Sequence, residues 1–343
     1  YAIRPTSKTG MPDSFEGEIL VPFPAESALS GVMREVGPEN RLWYRRTFSI
    51  PEDWAGRKIQ LNFGAVDWQA TVWVNDRKVG EHRGGYDPFS FDITSALQGT
   101  GPQQITVAVW DPTDAGTQAR GKQIRKPQSI WYTPVTGIWQ TVWLEPVPET
   151  AIEQVKIVPD AKHGKAQMTV SASTAGSPEA KVTLVSRSLG DKNEPIDVIV
   201  GNGKVDTPIT LEIPDARLWT PEAPWLYHYE VQLEGGDKAT GYFGLRDVAL
   251  GKDASGNQRL LLNGKPLFHY GPLDQGWWPD GLYTAPTDEA LLYDLLVTKE
   301  MGFNMVRKHV KVEPATWYAH CDRLGLLVWQ DMPNGDLHIR PEE

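Results

Sequence analysis

The sequence predicts a multidomain, mainly β chain whose C-terminal stretch, from Leu260 to Glu343, turns to α/β. Three observations carry this. Short β-branched and aromatic runs fill residues 1–148. A second series of strands, poorer in Trp and spaced by roughly ten residues, fills 149–250. After Leu260 the pattern becomes strand, loop, helix, strand, loop, helix, strand.

In the first region RLWYRRTFSIP (41–51), KIQLNFG (58–64), ATVWVND (70–76), ITVAVWD (105–111) and WQTVWLEP (139–146) read as strands punctuated by Gly, Pro, Asn and Asp. Thr71 to Asn75 alternate with period two. Regular short strands with turns suggest a two-sheet sandwich, and a jelly roll is favoured. In the second region VKIVPD (155–160), AQMTVSAS (166–173), KVTLVSRS (181–188), TPITLEIP (207–214), YHYEVQLE (227–234) and GYFGLRDVAL (241–250) suggest an immunoglobulin-like β-sandwich. With a single cysteine, Cys321, it is not a disulfide-bonded one. The boundaries are therefore 1–148, 149–250 and 251–343.

The third region opens with Leu260–Pro266, a strand with an Asn263-Gly264 turn. LFHYG (267–271) reads as the next strand, and a long loop, PLDQGWWPDGLYTAP (272–286), follows. Thr287 caps a helix, Asp288 and Glu289 suit its N-terminal dipole, Leu291, Leu292, Leu295 and Leu296 repeat at helical spacing, and Gly302 ends it. FNMVRKH (303–309) is a strand. Pro314 is expected at the first position of a helix presenting Trp317, Cys321 and Leu324 on one face, and Gly325 stops it. LLVWQD (326–331) is the last strand. Two successive βα units with nearly continuous apolar strands imply parallel strands covered on both faces. Ligands meet the carboxyl ends of such strands, where Asp274, Arg307, Lys308, His309, Gln330 and Asp331 cluster. Alternatively, Arg307 and Asp331 form a structural ion pair.

Composition bounds the rest. A net charge of −10 and a pI of about 5.3 argue against a nucleic-acid partner. No apolar run is long enough to span a bilayer, and no secretion signal stands at Tyr1, so any such signal has been removed or never existed. The compartment stays open. Cys321 lies on an apolar helix face and packs in a core. No His/Asp/Glu cluster has metal-ligand spacing, and no cofactor is called for. Fourteen tryptophans are many for 343 residues. Most belong to the core of a β-rich chain, although indole is also the ring that stacks on a pyranose.

FNMVRKHVKVEPATWYAHCDRLGLLVWQDMPN resembles the opening of the catalytic barrel of glycoside hydrolase family 2, which holds β-galactosidases, β-glucuronidases and β-mannosidases. WYRRTFSIP, VWVNDRKVGEHRGGYDPFSFDIT and TGIWQTVWLEP resemble its sugar-binding domain. RLWTPEAPWLY and GLRDV resemble the end of its immunoglobulin-like domain. The resemblance implies that residues 251–343 begin a (β/α)8 TIM barrel, and that the parent protein is a retaining exo-β-glycosidase of carbohydrate metabolism acting on a β-glycoside. It also implies roles: Arg307 beside the nucleophile, keeping it ionised; His309 against the sugar; Trp277 and Trp278 walling the pocket; Asp274 or Asp331 gripping hydroxyls; and Asp67 and Asp114 reaching in from loops of the first domain. RKHVKVEP departs from the Ser-His-Tyr-Pro pattern of the better-known β-galactosidases and leaves the sugar open.

Retaining hydrolysis needs two carboxyl groups about 5–5.5 Å apart. By resemblance these are glutamates on later barrel strands, expected beyond Glu343. Glu194, after Asn193, sits in a polar turn; Glu342 and Glu343 follow no strand; Glu313 reads as a helix-start residue. Three strands do not close a barrel, so the chain is expected to be the N-terminal part of a longer enzyme, or completed by another chain, and inactive alone. The alternatives are a non-catalytic carbohydrate-binding module and a structural subunit. A homo-oligomer stays open.

Overall fold

The structure, a computed structural model, describes residues 1–8, 10–99, 101–173, 179–187, 198–234 and 236–335. Asn193, Glu194, Glu342 and Glu343 lie outside these. The described part is mainly β. No helix in it is long and apolar enough to cross a membrane, and no group of three or more acidic, His or Cys side chains is disposed to hold a metal ion.

The first sandwich has a five-stranded antiparallel sheet in the order Ala2–Pro5, Asn40–Phe48, Gln103–Trp110, Gln69–Val74, Arg77–Arg83. A three-stranded sheet of Val142–Val147, Lys58–Phe63 and Phe89–Asp92 faces it. Alternation decides which residues enter the core: Ala70, Val72 and Val74 are buried while their neighbours are not. Leu42, Tyr44, Leu61, Phe63 and Val109 fill the space between the sheets. On the outer face Trp73 stacks on Trp43, with ring centres 5.6 Å apart.

The second sandwich pairs Ile152–Asp160, Lys165–Ala172 and Ile209–Glu212 against a sheet ordered Val198–Lys204, Glu179–Arg187, Leu226–Leu233, Lys238–Phe243. The run expected as one strand over 241–250 is two. Lys238–Phe243 belongs to the sandwich, whereas Val248–Lys252 pairs with Gln258–Leu262. Trp219 separates them: its amide donates to Leu245 O at 2.8 Å and its ring sits under the Arg246 guanidinium. Asn263 and Gly264, both at positive φ, turn the hairpin back into Lys265–Pro266.

Three parallel strands follow: Leu273–Asp274, Met305–Lys308 and Leu327–Gln330, with the middle segment central. The strand expected over 267–271 is displaced to Leu273–Asp274. The backbone of 270–274 still runs beside 304–309, with Tyr270 O, Pro272 O and Asp274 O accepting from Asn304, Arg307 and His309. Pro272 has no N–H to return, so the ladder is one-sided there. The helix Asp288–Glu300 is capped by Thr287, whose Oγ1 accepts from Ala290 N at 3.1 Å. The helix Ala315–Leu324 starts one residue later than expected, Pro314 being its N-cap. Its end is the left-handed Gly325, φ 74°. Leu291, Leu295, Val306, Trp317, Cys321 and Leu326 form the core between sheet and helices. Trp43, Trp139, Trp219 and Trp317 are fully buried. Trp54, Trp73, Trp225, Trp277 and Trp278 are half-buried against these cores, and Trp143 and Trp329 are exposed.

Candidate functional site

Period-two alternation sorts the parallel strands into two faces. Met305, Arg307 and His309, with Leu327, Trp329 and Asp331, point away from the helices. Val306, Lys308, Val328, Gln330 and Asp274 point toward them. The first face is open at its carboxyl end: the Arg307 side chain is 44% exposed and Trp329 is 44% exposed. The second is closed, with Lys308 and Val306 buried.

Of the residues expected at the site, three come together on the open face. Arg307 Nε donates to Asp331 Oδ1 and Oδ2 at 3.1 and 3.0 Å, and its Nη2 lies 2.9 Å from Oδ2. His309 Nδ1 is 2.7 Å from the same Oδ2. The Arg307 bonds, with that from His309, hold the Asp331 carboxyl below its ordinary range. Asp331 N donates to Lys308 O at 3.0 Å, which fixes the register of the two strand ends. The ion pair weighed from sequence exists, and His309 completes it. Trp329, on the same face, donates from Nε1 to His269 Nδ1 at 2.9 Å. Sequence reasoning missed Trp329, although its spacing from Asp331 puts both on one side of the strand.

The others lie elsewhere. Asp274 is on the helix side. Its Oδ2 accepts from Lys308 Nζ at 2.6 Å and its Oδ1 from Gly276 N at 2.7 Å. Trp278 packs into the core beneath the two helices. Trp277 closes a junction between domains, with its ring 4.8 Å from Tyr132 and 4.6 Å from Tyr283. Asp67 is 2% exposed and accepts from Gln123 Nε2 at 2.7 Å, so it faces the protein interior. Burial, with Asp111 nearby, raises its pKa well above the ordinary range. Asp114 is paired to Arg125 Nε at 2.5 Å.

A loop of the first domain does reach the strand ends, at a place sequence reasoning did not single out. Arg120 N and Gly121 N both donate to Asn334 O at 3.0 Å, three residues past Asp331. Gly121, at φ +58°, has to be glycine: a Cβ there would stand 2.5 Å from Val310 O and 2.8 Å from Tyr283 Oη. Tyr86 Oη and Tyr283 Oη, 3.1 Å apart, join the same junction.

Under the open face lies a buried charge cluster. Lys308 Nζ and Lys311 Nζ both reach Glu313 Oε1, at 2.7 and 3.0 Å. Lys311 also donates to Gly276 O and Tyr283 O at 2.7 and 2.8 Å. The Lys308 ammonium lies 4.4 Å from the Trp317 ring centre. That of Lys311 lies 4.8 Å from Tyr283 and 5.5 Å from Trp139 of the first domain. Burial opposes the charge on Lys308, yet Glu313 and Asp274 outweigh it and its pKa is raised. For Lys311 burial wins, and the pKa falls to about 8. Glu313, expected as a helix-start residue, is instead the acceptor at the centre of this cluster.

Two sandwiches running into an α/β segment with polar groups at its strand ends define the class, and comparison with known proteins gives the family. The family model described as "Glycosyl hydrolases family 2, sugar binding domain" matches residues 21–148, and "Glycosyl hydrolases family 2" matches 150–246. The chain belongs to glycoside hydrolase family 2. A β-galactosidase of Thermoanaerobacter pseudethanolicus is 29% identical over 324 residues, covering 88% of this chain and 40% of that protein. Human β-glucuronidase is 26% identical over 340 residues, covering 87% of this chain and 48% of that protein. A β-glycosidase structure from Bacteroides vulgatus superposes with TM-score 0.67 at 27% identity, over 85% of this chain and 37% of that one. A β-glucuronidase of Ruminococcus gnavus, in complex with D-glucaro-d-lactam, shares the fold with TM-score 0.69 at 21% identity, over 85% of this chain and 50% of that one. The chain thus spans about half or less of these relatives' length.

Proposed function

We propose that the full-length protein carrying this chain is a retaining exo-β-glycosidase. In this reading residues 1–148 are a jelly-roll sugar-binding domain, 149–250 an immunoglobulin-like spacer, and 251–343 the opening of a (β/α)8 barrel. The observation that carries it is the Arg307–His309–Asp331 group at the carboxyl ends of parallel strands, in a chain of this family. Among the described residues from 251 on, the glutamates are Glu289, Glu300 and Glu313. The first two stand on a helix and the third is bound by lysines, so none serves as acid/base or nucleophile. Both catalytic carboxyl groups come from elsewhere in the full-length protein. Arg307 is placed to keep a neighbouring carboxylate ionised. In this reading His309 and Asp331 hydrogen-bond sugar hydroxyls, and Trp329 offers a flat apolar surface beside them.

The names of the relatives make β-galactosides and β-glucuronides the first substrates to try. The test is hydrolysis of a panel of p-nitrophenyl β-D-glycosides by the full-length protein, with proton NMR of the first-formed sugar. Release of a single sugar with the β anomer formed first is expected. An α anomer would overturn retention, and no hydrolysis of any member of the panel would sink the enzyme reading.

A further inference from the structure

We propose that Glu313, held by Lys308 and Lys311, is a positioning residue for the open-face site, an inference that rests on the glycosidase reading above. Arg307 and His309 flank Lys308 in sequence and face the opposite way. The strand then ends abruptly. Val310 takes φ 47°, a conformation that β-branched side chains adopt only when their surroundings impose it. This turn carries the chain beneath the first-domain loop at Gly121.

The restraint on that turn is visible on both sides of it. Lys308 precedes Val310 by two residues and Lys311 follows it, and both ammonium groups end on Glu313 Oε1. The two side chains and Glu313 therefore close a ring of contacts around the strained residue. Asp274 ties the ring to the first parallel strand. Gly276 O and Tyr283 O tie it to the loop between that strand and the first helix. Gln330 Nε2 donates to Lys311 O at 2.8 Å and so joins it to the third strand, one residue before Asp331. Tyr318 Oη donates to Gln330 Oε1 and accepts from Glu313 N at 3.3 Å, which closes the circuit through the second helix. The strand bearing Arg307 and His309 is thereby tied to the Glu313 carboxylate through Lys308, and the strand bearing Asp331 is tied to the backbone of Lys311 and Glu313. None of Lys308, Lys311 and Glu313 touches the open face, so the cluster acts on substrate only through the position of Arg307, His309 and Asp331.

A purely stabilising ion cluster and a positioning one differ in what a charge-balanced replacement restores. Glu313→Gln leaves two buried ammonium groups with Asp274 alone. The double variant Lys311→Met/Glu313→Gln removes one charge of each sign and keeps the Lys308–Asp274 pair, so it is the variant to rely on if the single one does not fold. The experiment compares wild-type full-length protein with both variants. It measures melting temperature, kcat and KM on p-nitrophenyl β-D-galactopyranoside and β-D-glucuronide, and the ring 15N resonances of His309 in histidine-labelled protein. The expected result is a double variant that melts near the wild-type temperature. Its kcat is lower by tenfold or more, its KM shifts by less than threefold, and its His309 resonances are displaced. A double variant with wild-type kcat and unmoved His309 resonances would overturn the proposal. If wild-type protein hydrolyses no member of the p-nitrophenyl β-D-glycoside panel, the glycosidase reading is what fails, and the His309 resonances still decide whether Glu313 positions the site.

Discussion

The two faces of the short parallel sheet are built from neighbouring residues and follow opposite rules. On the open face the Arg307–Asp331 ion pair, joined by His309, stays in contact with solvent. On the helix side Lys308, Lys311 and Glu313 are almost fully enclosed, and the hydrogen bonds within the cluster replace the lost hydration. The difference teaches where each face stores its free energy. Exposed ion pairs contribute little to stability, about 0–1 kcal/mol, so little of the fold's stability rests on the open-face group. A buried cluster is intolerant of losing any member, because the charge left behind has no water to turn to.

Removing a buried partner should give the largest effect. Lys308→Met leaves Glu313 and Asp274 without their shared cation, and a loss of about 3–5 kcal/mol is expected in denaturant unfolding of the full-length protein. A change below about 1 kcal/mol would mean the two faces do not differ as described. Arg307→Ala is the opposite test. It should lower kcat/KM on an active aryl β-glycoside by roughly a hundredfold, the scale of one lost electrostatic contact in a transition state.

A third place sharpens the comparison, because there carboxyl groups are buried without a lysine. Glu26 accepts from Thr136 N at 2.8 Å, and Asp111 accepts from Thr113 and Thr136. Burial raises Glu26 from 4.5 to about 8 and Asp111 from 3.8 to about 6. The unfolded chain releases the Glu26 proton near 4.5 while the folded one keeps it to about 8. Folding stability therefore falls as pH rises through that window and levels off above it. Glu26→Gln should stabilise by about 1–3 kcal/mol at pH 8, the cost of one poorly compensated buried polar group, and leave stability below pH 4.5 nearly unchanged. Thermal melts across pH would show this, and a variant less stable than wild type at pH 8 would contradict it. The smallest effect is expected for Asp114→Asn. It breaks an ion pair with Arg125 at the protein surface and should cost about 0.2–1 kcal/mol, fading in high salt.

Much of this was legible in the sequence. The two sandwiches follow from alternation and turn residues, and the helix at Asp288–Glu300 from Thr287 and the leucine spacing. The site was legible in part. Arg307, His309 and Asp331 group together in the sequence because they end apolar strands, and the structure brings them into contact. Asp274 was grouped with them because strand ends were counted without parity; Asp274 and Lys308 share the helix side with Val306, and Arg307 does not. Trp278 was misplaced for a related reason: a loop of 15 residues hides which indole turns inward. Asp67 could not be read, since its partner Gln123 is 56 residues away. Glu313 looked like a helix-start residue because it precedes Pro314. Only the fold brings Lys308 and Lys311 onto one of its oxygens.

The central claim is that the open face meets the sugar while the helix side holds it in place. The most direct test is Asp331→Asn in the full-length protein, assayed together for melting temperature and for kcat/KM on the best aryl β-glycoside. A fall in kcat/KM of roughly a hundredfold is expected, with a melting temperature within a few degrees of wild type. Wild-type kcat/KM, or a collapse in stability matching the loss of activity, would contradict it.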